Sequence, residues 1–155
     1  MPSAADRLAL ADLVHRYAAG VDDRRFGDVV ALFTDDAELT LPDPPKSLEP
    51  VLVHRGRHAI AEALAAVGAV ERTGHAVVGE VYAAGPDPDS ARGRIACIAH
   101  HWSRRDDHIG AVVWHVRYDD AYTRTAGGWR IARRVLTIDA IETRPVRRLR
   151  PGRPD

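Results

Sequence analysis

The chain lacks most of the features that would announce a class of protein outright. It has one cysteine, Cys97, so no internal disulfide can form and thiol redox chemistry has no second sulfur. The setting Arg94-Ile95-Ala96-Cys97-Ile98-Ala99 reads as a small buried core residue instead. There is no net charge, 22 basic residues balancing 22 acidic ones, so charge balance points to neither nucleic acid nor a membrane surface. Lys46 is the only lysine, and the arginine, alanine and glycine bias resembles that of a GC-rich genome, which advises against reading function into single arginines. No apolar run approaches the roughly 18 residues a membrane helix needs. The opening Met1-Pro2-Ser3-Ala4-Ala5-Asp6-Arg7 lacks the basic-then-apolar order of a signal peptide, so a cytoplasmic protein is expected. Also missing are a glycine-rich phosphate loop, a Gly-x-Ser-x-Gly elbow and any zinc or iron–sulfur spacing. His54 and His58 lie across a glycine turn and His100 and His101 point in opposite directions, so no metal site and no cofactor is implied.

What is present suits one compact domain. At 155 residues and 45% hydrophobic content, the chain can bury one sizeable core with one pocket. Residues 1–143 are expected to form that domain, and residues 144–155 a basic, proline-containing tail carrying Arg144, Arg147, Arg148, Arg150 and Arg153, frayed or packed on a neighbouring subunit. Ser3 and Asp6 resemble a capping box, and Leu10, Val14, Tyr17, Ala18 and Val21 recur at helical spacing, predicting a helix over about 4–20 that Gly20 ends. A short second helix carries Phe26, Val29, Val30 and Phe33; a strand follows over 37–41, a four-proline loop over 42–50, a short strand over 51–54 and a third helix over about 57–67. From residue 74 the pattern becomes long strands, 74–84, 91–105, 109–125 and 129–141, linked by Gly85-Pro86-Asp87-Pro88-Asp89, Asp106-Asp107 and Gly127-Gly128 turns. Three helices followed by an antiparallel meander make an α+β fold, and strands this long must curve into a cone whose mouth is a natural pocket.

Five segments then line up in order: Tyr17-Ala18-Ala19-Gly20-Val21-Asp22, Leu32-Phe33-Thr34-Asp35-Asp36-Ala37, Gly56-Arg57-His58-Ala59-Ile60, His75 opening a long strand, and Gly128-Trp129-Arg130-Ile131-Ala132-Arg133-Arg134. Together they resemble the SnoaL-like branch of the NTF2-like superfamily over almost the whole chain. That resemblance implies three N-terminal helices packed on a strongly curved, mostly antiparallel sheet. It also implies a His–Asp dyad, as in the family's dehydratase and dehydrochlorinase, on Asp22 and His75. The dehydrochlorinase's arginine matches Arg134, and the dehydratase's second pocket histidine matches His100. Val21 stands where the dehydratase has a tyrosine, which argues against scytalone itself as substrate.

The residues bear their own reading. A carboxylate bonded to one imidazole nitrogen fixes the tautomer and raises the basicity of the other, giving a base that works near neutral pH. Arg133 and Arg134 are neighbours on a strand, so one faces inwards and one out; an inward guanidinium needs a partner and would stabilise developing negative charge. Tyr17, His100, Trp102, Trp114 and Tyr118 are the candidates for the pocket wall; for the aromatics among them, core packing is the plainer role. The expected function is a cofactor-independent lyase, eliminating water or halide from a hydrophobic, cyclic small molecule. The alternatives are an isomerase or polyketide cyclase using the same dyad, and a non-catalytic binding or structural protein such as a dioxygenase small subunit. A small-molecule substrate and a homo-oligomer, dimer or trimer, are the expected partners. A filled cone would favour the non-catalytic reading; an open cavity with converging polar groups would favour the enzyme.

Overall fold

The computed structural model describes residues 1–152. Helix α1 (Ala4–Asp22) starts at the Ser3–Asp6 capping box, the Asp6 amide donating to Ser3 Oγ and the Ser3 amide to Asp6 Oδ2, 3.1 Å each. The same Asp6 carboxylate accepts from Trp129 Nε1 at 3.1 Å and from Arg124 at 2.7 Å, which ties the start of the helix to the far hairpin of the sheet. Leu10, Leu13, Val14, Tyr17 and Val21 form its buried stripe. The short α2 (Phe26–Val30) packs so closely that a Cβ on Gly20 would lie 2.5 Å from Val29 Cγ2. A side chain at residue 20 therefore cannot fit.

Six strands form one sheet in the order β2-β1-β6-β5-β4-β3, antiparallel throughout except for the parallel β1/β6 pair. β1 (Phe33–Asp43) and β2 (Ser47–Arg55) form a hairpin where a proline-rich loop and two short strands were expected. Proline is tolerated here because Pro42 lies at an irregularity in the ladder, Pro44 and Pro45 lie in the turn, and β2 is an edge strand. Helix α3 (Gly56–Ala65) then continues as a 3₁₀ turn over Ala66–Ala69. β3 (Arg72–Ala84), β4 (Ser90–Arg104), β5 (Ile109–Thr125) and β6 (Gly128–Val146) are the four long strands of the predicted meander. β6 runs three residues past the boundary expected at 143 and pairs to its end with β5, Val146 opposite Ile109. The following residues fold back on the sheet, the Pro151 carbonyl accepting from Arg72 at 3.0 Å. Of the basic residues expected in a tail, Arg153 lies outside the described residues.

Two irregularities in the β5/β6 ladder curve the sheet. Tyr122 pairs with Ile131 but Ala121 with Arg133, and Val116 pairs with Ile138 but His115 with Ala140, so β6 carries an extra residue at Ala132 and at Asp139. Such bulges bend a strand and increase its twist, and here they roll the long strands around the helices to close the narrow end of a cone.

Inside that end lies an ion pair. Arg134 is completely buried; its Nε donates to Asp120 Oδ1 at 2.9 Å and its Nη2 to Asp120 Oδ2 at 2.7 Å. Tyr122 donates to the same carboxylate at 2.6 Å, and the guanidinium carbon lies 4.2 Å from the ring centroids of both Tyr17 and Tyr118. Arg133, its neighbour, points outwards to Glu38. Burial works against the charge on Arg134, but the Asp120 carboxylate opposite outweighs it and holds the guanidinium pKa well above its ordinary value.

Removing one member of a buried pair leaves the other charge unpaired, at a cost of about 3–5 kcal/mol. Asp120→Asn and Arg134→Met should each lower the urea-unfolding free energy by that order, whereas the double variant Asp120→Leu/Arg134→Met should recover a large part of it. Two single variants as stable as the parent protein would refute the pair's role.

Candidate active site

The site is assembled where the end of α1 meets the start of β3. Asp22 is the last residue of α1, and Thr73 and His75, two apart on β3, present their side chains to the same face of the strand. The His75 ring donates through Nδ1 to Asp22 Oδ1 at 2.6 Å, and the His75 amide donates to Asp22 Oδ2 at 2.8 Å. Thr73 Oγ1 donates to Oδ1 at 2.9 Å. With three donors on two oxygens, the carboxylate has one orientation available. The tautomer follows from this network: a proton on Nδ1 leaves the lone pair on Nε2.

Behind the carboxylate sits Arg24, in a left-handed conformation with φ of 60°. Its Nη1 donates to Thr73 Oγ1 at 2.8 Å and to the Val21 carbonyl at 3.1 Å, and its Nη2 to the Val70 carbonyl at 2.6 Å. Those bonds offset the backbone strain, which is of order 1–3 kcal/mol for a non-glycine residue. They also commit the Thr73 hydroxyl to donate towards Asp22, since its oxygen already accepts from Arg24.

The imidazole opens onto a cavity of about 810 Å³ in the mouth of the cone. Its walls are mostly apolar, with Val21, Leu39, Leu64, Val116 and Leu136 among them. His75 lines it and Asp22 does not. The histidine thus stands between its carboxylate and any ligand. Tyr17, Trp114 and Tyr118 line the same cavity. Burial raises the phenol pKa of Tyr17 and of Tyr118, only partly opposed by Arg134 beneath them, so both stay protonated.

Three of the expected wall and site residues lie elsewhere. His100 and Trp102 are on the outer face of β4, their rings stacked 5.3 Å apart, with Trp102 packed against Gly74 so closely that a Cβ there would meet it at 2.7 Å. Strand alternation gives the inner face to His101 and Ser103 instead. Arg134 points inwards but is committed to Asp120 below the cavity floor and does not line the cavity.

Of the two adjacent histidines, His101 and not the expected His100 faces the cavity. Its ring lies 6.5 Å from that of His75 and 4.5 Å from Trp114, and its Nδ1 donates to the Val112 carbonyl at 3.0 Å, so its Nε2 also carries a lone pair. Burial pushes this imidazole below its ordinary pKa; the bond to Val112 resists, while His75, His100 and Arg24 push the same way as burial. His101 is therefore neutral at pH 7. Thr73 could have been anticipated from its i, i+2 relation to His75, but Arg24 gave no signal, because a positive φ and a folded-back side chain are not written in its neighbours. Among the described residues no group of three or more His, Cys, Asp or Glu side chains is arranged to hold a metal ion, and no helix is long and apolar enough to cross a membrane.

Burial raises the pKa of the Asp22 carboxyl, but the hydrogen bonds from the His75 ring and amide, the imidazole charge and Thr73 together bring it below the ordinary value. A carboxylate depressed in the folded state adds stability above its unfolded pKa of roughly 3.9, and that contribution is lost as pH falls through the folded value. Carbon-detected NMR titration should find Asp22 below that reference in the parent protein. In His75→Ala it should move upwards, because burial remains while the imidazole's contribution is gone. An unmoved Asp22 would refute the coupling.

The sequence matches a family described as the SnoaL-like domain over residues 2–135. No curated protein matches it at a significant level. Among solved structures it resembles the Kfla4162 protein from Kribbella flavida, 28% identical, with 89% of this chain and 93% of that one covered and a TM-score of 0.74. A candidate scytalone dehydratase from Novosphingobium aromaticivorans is 20% identical, covering 97% of this chain and 93% of that one at a TM-score of 0.74. A hexachlorocyclohexane dehydrochlorinase, LinA type 2, is 18% identical, covering 97% and 95% at a TM-score of 0.72. The last two likenesses speak for the shared fold. With the family match spanning most of the chain and these solved structures sharing its α+β fold, the protein belongs to the SnoaL-like family.

Proposed function

We propose that the protein is a cofactor-independent lyase that eliminates water or halide from a small, hydrophobic, cyclic molecule. The observation that carries this reading is the 2.6 Å contact between His75 Nδ1 and Asp22, with the imidazole facing an apolar cavity. An open cavity with polar groups converging on it also favours an enzyme over a structural subunit, whose cone would be filled. The dehydratase and dehydrochlorinase among the similar structures lend the elimination chemistry, by analogy of fold and site.

In this mechanism His75 Nε2 takes a proton from the substrate carbon next to the leaving group. The C–H electron pair becomes the new double bond as the leaving group departs. A departing hydroxide takes the proton back from the imidazolium, giving water and restoring the base; a departing halide leaves as the anion and the proton passes to solvent. Asp22 stabilises the imidazolium between the two steps without taking its proton. His101, neutral with a free Nε2, accepts a hydrogen bond from a substrate hydroxyl. The protonated Tyr17 and Tyr118 keep the cavity floor uncharged. Arg134 takes no direct part and acts by holding those two tyrosines in place.

A panel of cyclic β-hydroxyketones and halogenated cycloalkanes, followed by product analysis, tests the reaction class. On the substrate found, His75→Ala should lower kcat by about 10²–10⁴-fold with the fold intact, and Asp22→Asn should lower it less. The rate should fall as acid protonates the Asp22 carboxylate, whose folded pKa lies below its ordinary value, and be independent of that group at higher pH. An equally active His75→Ala protein would sink the mechanism.

A further inference from the structure

We infer that the substrate carries an anionic group, recognised outside the apolar cavity by Arg105 and Arg150. The inference rests on the cone being the substrate site, as proposed above, and it adds what the polar end of that substrate is. A second, open cleft of about 1110 Å³ adjoins the cavity, and the two share Val70, Ser103 and Arg105 as walls. The cavity that His75 lines thus meets a cleft of a different chemical character at Val70, Ser103 and Arg105.

That cleft is lined by five arginines, Arg24, Arg72, Arg104, Arg105 and Arg150, and by the acids Asp22, Asp23 and Glu71. Most of these charges are already committed. Arg24 is spent on Thr73 and two backbone carbonyls, and Arg104 on Glu71 and the Leu149 carbonyl. Asp22 is held by His75 and Thr73, and Asp23 by Arg25. Arg72 makes one bond, to the Pro151 carbonyl. Among the described residues, the guanidinium groups of Arg105 and Arg150 have no ion pair and no hydrogen-bond acceptor. Each presents a planar fork of donors suited to a carboxylate or phosphate.

The placement of Arg150 is itself built. Arg104 and Arg72 grip the carbonyls of Leu149 and Pro151, the residues on either side of it, and so fix the segment after β6 along the cleft wall. Unpaired arginines on a convex face are ordinary; two of them on a concave wall that opens into an apolar pocket leave an anion-shaped deficit. A hydrophobic body in the cone with its anion in the cleft satisfies both halves. The anion has two chemical sources, a carboxylate on the molecule itself or the phosphates of a carrier thioester, and the dimensions of the cleft admit either.

Calorimetric titration of the full chain at low salt distinguishes them. The probes are 4-(2-naphthyl)butyrate, the matched alcohol 4-(2-naphthyl)butanol, and the coenzyme A thioester of the acid. The proposal expects the acid or the thioester to bind at least tenfold tighter than the alcohol. That advantage should be lost in Arg105→Ala and in Arg150→Ala, and should shrink as salt is raised to 0.5 M. Tighter binding by the acid than by the thioester assigns a carboxylate; the reverse order assigns carrier phosphates. Equal affinity for all three probes, or an anion preference that survives both substitutions, overturns the proposal. Among the described residues neither side chain has a partner to lose, so both variants should keep the parent's circular dichroism spectrum and melting temperature. Because the readout is affinity, an inert His75→Ala variant that still prefers the anion would separate failure of the lyase mechanism from failure of this inference.

Discussion

The buried pair of Arg134 and Asp120 is the constraint on which the rest of the cone depends. A charge removed from water needs partners close by, and here the carboxylate fork takes two nitrogens and the rings of Tyr17 and Tyr118 lie against the guanidinium carbon, while Nη1 has no acceptor. Tyr17 comes from α1 and Tyr118 from β5, so one cation fastens the helix to the sheet at the depth where the cavity begins. It also sets the height of the floor. Above it the wall is apolar; below it the narrow end is packed solid with Phe33, Ile131 and Tyr122.

That arrangement explains which parts of the molecule were legible in the sequence. The helical stripe of α1, its capping box and the turn residues between the long strands are local signals, and the elements they predict are there. The meeting of Asp22 with His75 was anticipated from family motifs, and the geometry brings them into contact. Position within a strand was harder. Counting back from the Gly127-Gly128 turn in regular register places Asp120 opposite Arg133; the extra residue at Ala132 moves Arg134 there instead. One unpaired residue decides which arginine enters the core, and nothing in Arg130-Ile131-Ala132-Arg133-Arg134 marks it.

The same difficulty governs the two adjacent histidines of β4. Alternation says that only one faces inwards, but not which. The register with β3 settles it: Gly74 makes room on the outer face for the Trp102 ring, His100 stacks on that ring, and His101 is left to the inside. The loop expected over 42–50 fails for a related reason. Four prolines argue against a central strand, but not against a hairpin at the sheet edge, where missing amide donors face no partner.

The way Asp22 is held has a consequence for how such a protein can change over time. Its carboxylate is fixed by the His75 ring and amide and by Thr73, which Arg24 in turn holds from its anchorage on two carbonyls, and of these only the imidazole reaches the cavity wall. The wall, by contrast, is mostly aliphatic side chains from α1, α3 and the strands, such as Val21, Leu64, Val116 and Leu136, that make no hydrogen bond to the Asp22–His75 pair. The pairing of Asp22 with His75 and the shape of the cavity are thus set by largely separate groups of residues. A lineage can exchange aliphatic wall residues one at a time and reshape the cavity while the bonds between Asp22 and His75 stay unaltered.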